Sequence, residues 1–91
     1  MLLKVTNAKY INDYKIELFF NDGYNGIVDL KNSIKGQVFM PLNDVDYFKT
    51  FKTNQWTIEW DCDADFAPEY LYDLIMKQSN KQVNKIYKQV G

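Results

Sequence analysis

Histidine and arginine are both missing from this sequence. Without imidazole the chain lacks the usual general base, the side chain that changes charge near neutral pH and the commonest metal ligand. Without guanidinium it lacks the planar fork that reads phosphate and guanine, so a dedicated sequence-specific DNA reader is disfavoured. Cysteine occurs once, as Cys62. A single thiol excludes an internal disulfide and fits a reducing compartment. No apolar run approaches the roughly 18 residues of a membrane span, and Met1-Leu2-Leu3-Lys4-Val5 does not open a signal peptide. These absences predict a soluble cytoplasmic protein that is not an enzyme and needs no cofactor and no metal.

What is present is apolar bulk in a short chain. The 91 residues make one small domain, which buries only about 60–65% of its unfolded surface. Such a core needs large side chains, and aromatic residues supply 16% of the sequence. Hydrophobic residues at 46% belong to a folded chain and not to a disordered one. The net charge of −1 attracts no polyanion.

The most regular stretch is Trp56-Thr57-Ile58-Glu59-Trp60-Asp61. Its period of two predicts a half-buried strand over 55–61, with Trp56, Ile58 and Trp60 inward and Thr57, Glu59 and Asp61 outward. Ala64 to Phe66 reads as a brief returning strand, and Pro68 stands at the natural first position of a helix. Upstream, residues 3–10 form a strand whose phase slips near Thr6–Asn7, the sign of a bulge. Tyr14, Ile16, Leu18 and Phe20 alternate with Lys15 and Glu17 in a second strand. Asn21-Asp22-Gly23 has hairpin chemistry, and Tyr24 to Leu30 returns as a third strand. Phe39, Met40 and Leu42 are expected to plug an open end of the core. Asp44 caps a short helix over 44–51. Leu71, Leu74 and Ile75 give the last helix its apolar stripe. That helix either breaks at Ser79–Asn80 or continues to about Val90, where Val83, Ile86, Tyr87 and Val90 form a second stripe.

The predicted fold class is α+β: a small antiparallel sheet of about four or five strands, packed by a C-terminal helix, with a short helix before the tryptophan-containing strand. Residues 1–78 form the α+β domain and 79–91 a helical C-terminal extension.

Few residues carry chemistry. Asp61, Asp63 and Asp65 alternate like the first ligands of a calcium loop, but the glycine and glutamate such a loop requires are replaced by Phe66 and Tyr72. A solvated turn is the better account, so no metal site is assigned. Cys62, flanked by Asp61 and Asp63, lacks the positive neighbour that activates a thiolate. Glu59 and Asp61 share one strand face, whereas glycosidic chemistry needs carboxyls across a cleft. No catalytic residues are assigned. Trp60, Glu69, Tyr72 and Asp65 read either as an aromatic-rimmed binding surface with carboxylate acceptors or as core packing with Glu69 serving the helix N-terminus. Lys77, Lys81, Lys85 and Lys88 share one helix face by spacing. They read either as a solvated face or as a contact with an acidic partner or nucleic acid.

Three pieces in register resemble a family: Phe20-Asn21-Asp22-Gly23 with Val28-Asp29-Leu30, then Val38-Phe39-Met40-Pro41-Leu42 with Phe48, and Ile58-Glu59-Trp60 followed by Asp65-Phe66-Ala67-Pro68-Glu69 and Leu71-Tyr72. Their order and spacing resemble the bacterial "domain of unknown function 2442" family over roughly residues 3–76. The resemblance implies an α+β domain, similar to the N-terminal domain of a small helix-turn-helix protein. It also implies a binding role as the antitoxin-like member of a two-gene module. The chain departs from the family pattern where Cys62-Asp63 replaces an Asn-Gly-like pair, and the tail after about residue 78 is not covered.

The expected function is therefore a non-catalytic protein-interaction module. Its partner is another small protein, encoded by the adjacent gene; a homodimer through the C-terminal helix is a further expectation. The alternative is a nucleic-acid-associated regulator using the lysine-rich helix, disfavoured by the missing arginines. No membrane contact is expected.

Overall fold

A computed structural model of the chain describes residues 2–90, with side chains as far as Ser79. Three antiparallel strands, β1 (Val5–Asn12), β2 (Lys15–Phe20) and β3 (Asn25–Asp29), form a sheet in the order β1-β2-β3. Period-two alternation decides its faces. Ile16, Leu18 and Phe20 of β2 and Val28 of β3 are buried on one side, while Lys15, Glu17 and Phe19 lie on the other and are only partly covered. The register passes from Val5↔Phe20 to Asn7↔Phe19, so the bulge expected near Thr6–Asn7 is there. A second irregularity lies between Tyr10 and Asn12. In the β2–β3 hairpin Gly23 has φ 92°, and the Asp22 side chain accepts the Tyr24 N–H at 2.9 Å. A left-handed residue after Asp is the conformation tight hairpins require.

Past the sheet the chain is less regular, and the physical reasons are local. Lys31–Ser33 and Gln37–Asn43 are 3-10 segments. At three residues per turn, positions three apart share a face, so Phe39 and Leu42 turn inward together while Met40 points out. Leu42 is fully buried and Phe39 partly buried, but Met40 is 62% exposed. The expected three-residue plug is thus corrected to two residues. Asp44 does cap a helix, accepting the Asp46 N–H at 3.0 Å, but α1 covers only Val45–Phe48.

The tryptophan strand is also shorter than expected. β5 (Ile58–Glu59) pairs with β4 (Lys52–Thr53) as a separate two-stranded ribbon, and Glu59 bridges Asp65 on the returning segment. Gln55 takes φ 72°, and the Asn54 side chain accepts the N–H groups of Trp56 and Thr57 at 3.0 and 2.8 Å. This turn breaks the alternation before β5 begins. Trp56 is 39% exposed, whereas Thr57, expected outward, is buried. The Trp56 carbonyl instead accepts the Val5 N–H at 2.9 Å and ties the turn to β1.

Helix α2 (Pro68–Val90) begins at the proline that its missing N–H suits. Leu71 and Ile75 bury its apolar stripe, and Leu74 is partly covered. Its approach to β3 depends on Gly26, where a Cβ would stand 2.6 Å from Ile75 Cγ2. One turn on, the Gln78 side-chain amide accepts the Asp29 N–H and donates to the Asp29 carbonyl, both at 3.0 Å. It pairs with the outer edge of β3 as a neighbouring strand would. Among the described residues no helix is long and apolar enough to cross a membrane.

Candidate functional site

Aromatic side chains are distributed between a closed cluster and an open ladder. In the closed cluster Trp60, 1% exposed, lies against Phe48 and Phe51 with centroids 5.6 and 6.4 Å apart. Its indole N–H donates to the Phe48 carbonyl at 2.8 Å. The ladder is built from two segments that the chain brings together. Gly36, at φ 89°, turns the backbone into the 3-10 segment, which presents Phe39. The return from β5 presents Phe66, held by the buried Thr57 hydroxyl donating to its carbonyl at 2.5 Å. Tyr70 follows in the first turn of α2.

The rings of Phe39 and Phe66 stack at 4.9 Å and 16°, and those of Phe66 and Tyr70 at 5.6 Å and 11°. Phe66 also meets Trp60 edge-on at 6.0 Å and 83°, which anchors the ladder to the core. Tyr70 ends it at the surface, 45% exposed, with its hydroxyl sharing a hydrogen bond of 2.8 Å with Ser33. At the other end Val38, 48% exposed, and Met40 flank Phe39 in sequence and are exposed. The Cys62 thiol approaches the Val38 carbonyl at 3.7 Å and holds the acidic turn against this segment. Asp63, Asp65 and Glu69 are exposed. The arrangement offers a stack of three rings that starts at the core and ends on the exposed Tyr70.

The four residues read from the sequence as a binding set are separated by the fold. Trp60 belongs to the closed cluster, so as a rim residue it is corrected: its ring is buried and its nitrogen engaged. Tyr72 packs between Phe20 and Tyr24 at 4.9 and 4.8 Å and donates to Asp22 at 2.8 Å. Asp65 and Glu69 lie at the surface, next in sequence to ladder residues. The ladder itself was not singled out in the sequence. Phe66 and Tyr70, four apart across a helix start, were a local signal for part of it; nothing local points to Phe39.

Elsewhere the chemistry is sparse. Asp61 pairs with Lys52 at 2.6 Å, which raises the Lys52 ammonium through that hydrogen bond. Asp63 has φ 66°, the left-handed conformation that Asp adopts more readily than most residues. The Cys62 thiol, by hydrogen bonding, and then burial raise the Tyr47 phenol. Among the described residues no three potential metal ligands converge. A depression of about 300 Å³ is lined by Asp13, Tyr14, Lys15, Asp29 and Lys31, and the Tyr14 hydroxyl there is already donated to Asn43 at 2.6 Å. Lys77 pairs with Asp73 at 2.9 Å. The side chains of Lys81, Lys85 and Lys88 lie outside the described residues, as does the second apolar stripe of the helix.

The model of the family described as "Protein of unknown function (DUF2442)" matches residues 5–77. That span includes every residue of the ladder and stops before the last three lysines. No curated protein and no solved structure matches the chain significantly.

Proposed function

The chain belongs to the DUF2442 family, and from that premise we propose that it is a non-catalytic protein-interaction module, the antitoxin-like member of a two-gene pair. The observation that carries this reading is the open ladder. Tyr70 stays exposed at the end of stacked rings, and Val38 and Met40, on either side of Phe39 in sequence, are exposed as well. Aromatic rings lose little entropy on binding, and aromatic residues and methionine are enriched at interfaces. The non-catalytic part is supported by how the reactive groups are used: the Thr57 hydroxyl and the Cys62 thiol are both turned to backbone carbonyls.

The test is co-expression with the small protein encoded beside it. A complex stable at micromolar concentration is expected. Met40→Asp combined with Tyr70→Ala should weaken it at least tenfold, the scale of losing an anchor worth about 1.4 kcal/mol or more. Absence of a complex refutes the reading.

A further inference from the structure

We propose that the outer edge of β3 receives an extended segment of a partner protein as an added strand. This goes beyond the interaction reading above and shares no residue with the aromatic ladder. The hydrogen-bond pattern fixes which backbone groups face outward. The Phe20 N–H donates to the Tyr24 carbonyl and the Leu30 N–H to the Tyr14 carbonyl, both at 2.9 Å. Hydrogen-bonded pairs alternate along antiparallel strands, so between these ends Ile16↔Val28 and Leu18↔Gly26 exchange bonds. Asn25, Ile27 and Asp29 therefore turn their N–H and carbonyl groups away from β2. At Asp29 the Gln78 amide pairs with both. At Asn25 and Ile27 those groups have no hydrogen-bond partner among the described residues.

The other edge of the sheet is finished differently. β1 carries two register irregularities and Lys9. Its Val5 N–H donates to the Trp56 carbonyl and its Ala8 N–H to the Asn7 side chain, both at 2.9 Å. Bulges and lysine are devices that blunt an edge against pairing. β3 keeps one register throughout, holds no lysine or proline and leaves Ile27 48% exposed. A regular edge of that kind is a template for main-chain pairing, and Ile27 favours an apolar β-branched residue opposite it. The geometry points away from a second copy. α2 rests directly on β3, where a Cβ on Gly26 would stand 2.6 Å from Ile75 Cγ2. Pairing β3 with its own copy sets the strands about 4.8 Å apart, whereas the two helices lying on them need about 8–10 Å. A partner segment that brings no helix to the edge meets no such obstacle.

The test is an NMR titration of the isotope-labelled full chain with a short peptide alternating valine and threonine between lysine ends. The Asn25 and Ile27 amide signals should shift as peptide is added, and the Ile27 N–H should exchange more slowly with solvent. With a valine opposite Ile27, the valine N–H groups face β3. A peptide N-methylated at its valines should therefore not bind, whereas one N-methylated at its threonines should. Gln78→Ala opens the Asp29 position as well and should tighten binding about threefold or more, the scale of one net hydrogen bond. Circular dichroism checks that its fold is kept, and the methylated peptides test the wild type in either case. No shift at Asn25 and Ile27, equal binding of the two methylated peptides, or binding by folded Gln78→Ala that is no tighter overturns the proposal. So do shifts of these amides with the concentration of the chain alone, because the occupant is then a second copy. Shifts confined to Val38, Met40 and Tyr70 place the peptide on the aromatic ladder; the interaction reading then stands and the edge assignment alone falls.

Discussion

Two aromatic groups meet at Phe66 and are finished differently. On its edge-on side lies the Trp60–Phe48–Phe51 cluster, in which the one polar atom, the indole N–H, has an internal acceptor. On its stacked sides lie Phe39 and Tyr70, the latter sharing its hydroxyl with a surface serine. The first group can be sealed because its polar handle is satisfied without water. The second is ordered by ring-on-ring contact, with Phe39 half-buried against the core and Tyr70 left in solvent. Aromatic content alone therefore distinguishes nothing; what separates core from candidate surface is where the polar tips find partners.

The comparison is broken most forcefully from the sealed side. Trp60→Ala should cost about 3–5 kcal/mol in chemical denaturation, since it empties a large volume and leaves the Phe48 carbonyl without its donor. A loss below about 1 kcal/mol would mean the cluster tolerates water and the two groups do not differ in kind. Thr57→Val should come next, at about 1–3 kcal/mol, because the buried Phe66 carbonyl loses its partner while the side-chain shape is kept. As Thr57 holds the residue shared by both groups, its loss should also loosen the ladder and weaken partner binding. Met40→Ser sharpens the contrast from the open side. Stability should change by no more than about 0.5 kcal/mol, while affinity for the neighbouring gene product falls.

The smallest expected effect concerns the Phe20–Tyr24–Tyr72 group at the hairpin. The Tyr24 backbone N–H, and then the Tyr72 hydroxyl, hold the Asp22 carboxyl below its ordinary value of 3.8. The same hydrogen bond, followed by burial, raises the Tyr72 phenol above 10.0. A depressed carboxyl contributes stability that is complete above 3.8 and is lost as pH falls through the lowered value. A raised phenol contributes stability that is complete below 10.0 and is lost as pH rises through the raised value. Urea midpoints measured against pH should therefore fall at both ends of the range. Tyr72→Phe should reduce both falls; the raised Tyr47 and Lys52 still sustain part of the alkaline one, and the Tyr24 N–H part of the acid one.

The sheet was legible because its signals are short. Alternation from Tyr14 to Phe20, the phase slip at Thr6–Asn7, the Asp22-Gly23 turn, the Asp44 cap and the Pro68 start each involve neighbours a few residues apart. The same rule misplaced Trp56 and Thr57, because a turn at Gln55 interrupts the extended chain on which a period of two depends. Met40 was misplaced because 3-10 and extended segments put different neighbours on one face. Of the candidate site, Asp65 and Glu69 were legible as surface acids beside apolar residues. Alternation turned Trp60 inward, yet for Trp60 and Tyr72 core packing and a binding surface both stayed open: an amphipathic aromatic suits either place until its polar atom has an acceptor.

By itself, then, the sequence determined which side-chain types are missing, which strands alternate, where most turns and caps fall and that one helix stripe must be buried. Tertiary structure alone decided that Phe39 stacks on Phe66, that Gln78 completes the edge of β3 and that Trp60 rather than Trp56 is enclosed. The division has a physical cause. Backbone periodicity and turn conformation are set within a few bonds of each residue. Which aromatic ring is covered, and which is left for a partner, depends on segments that only folding brings side by side.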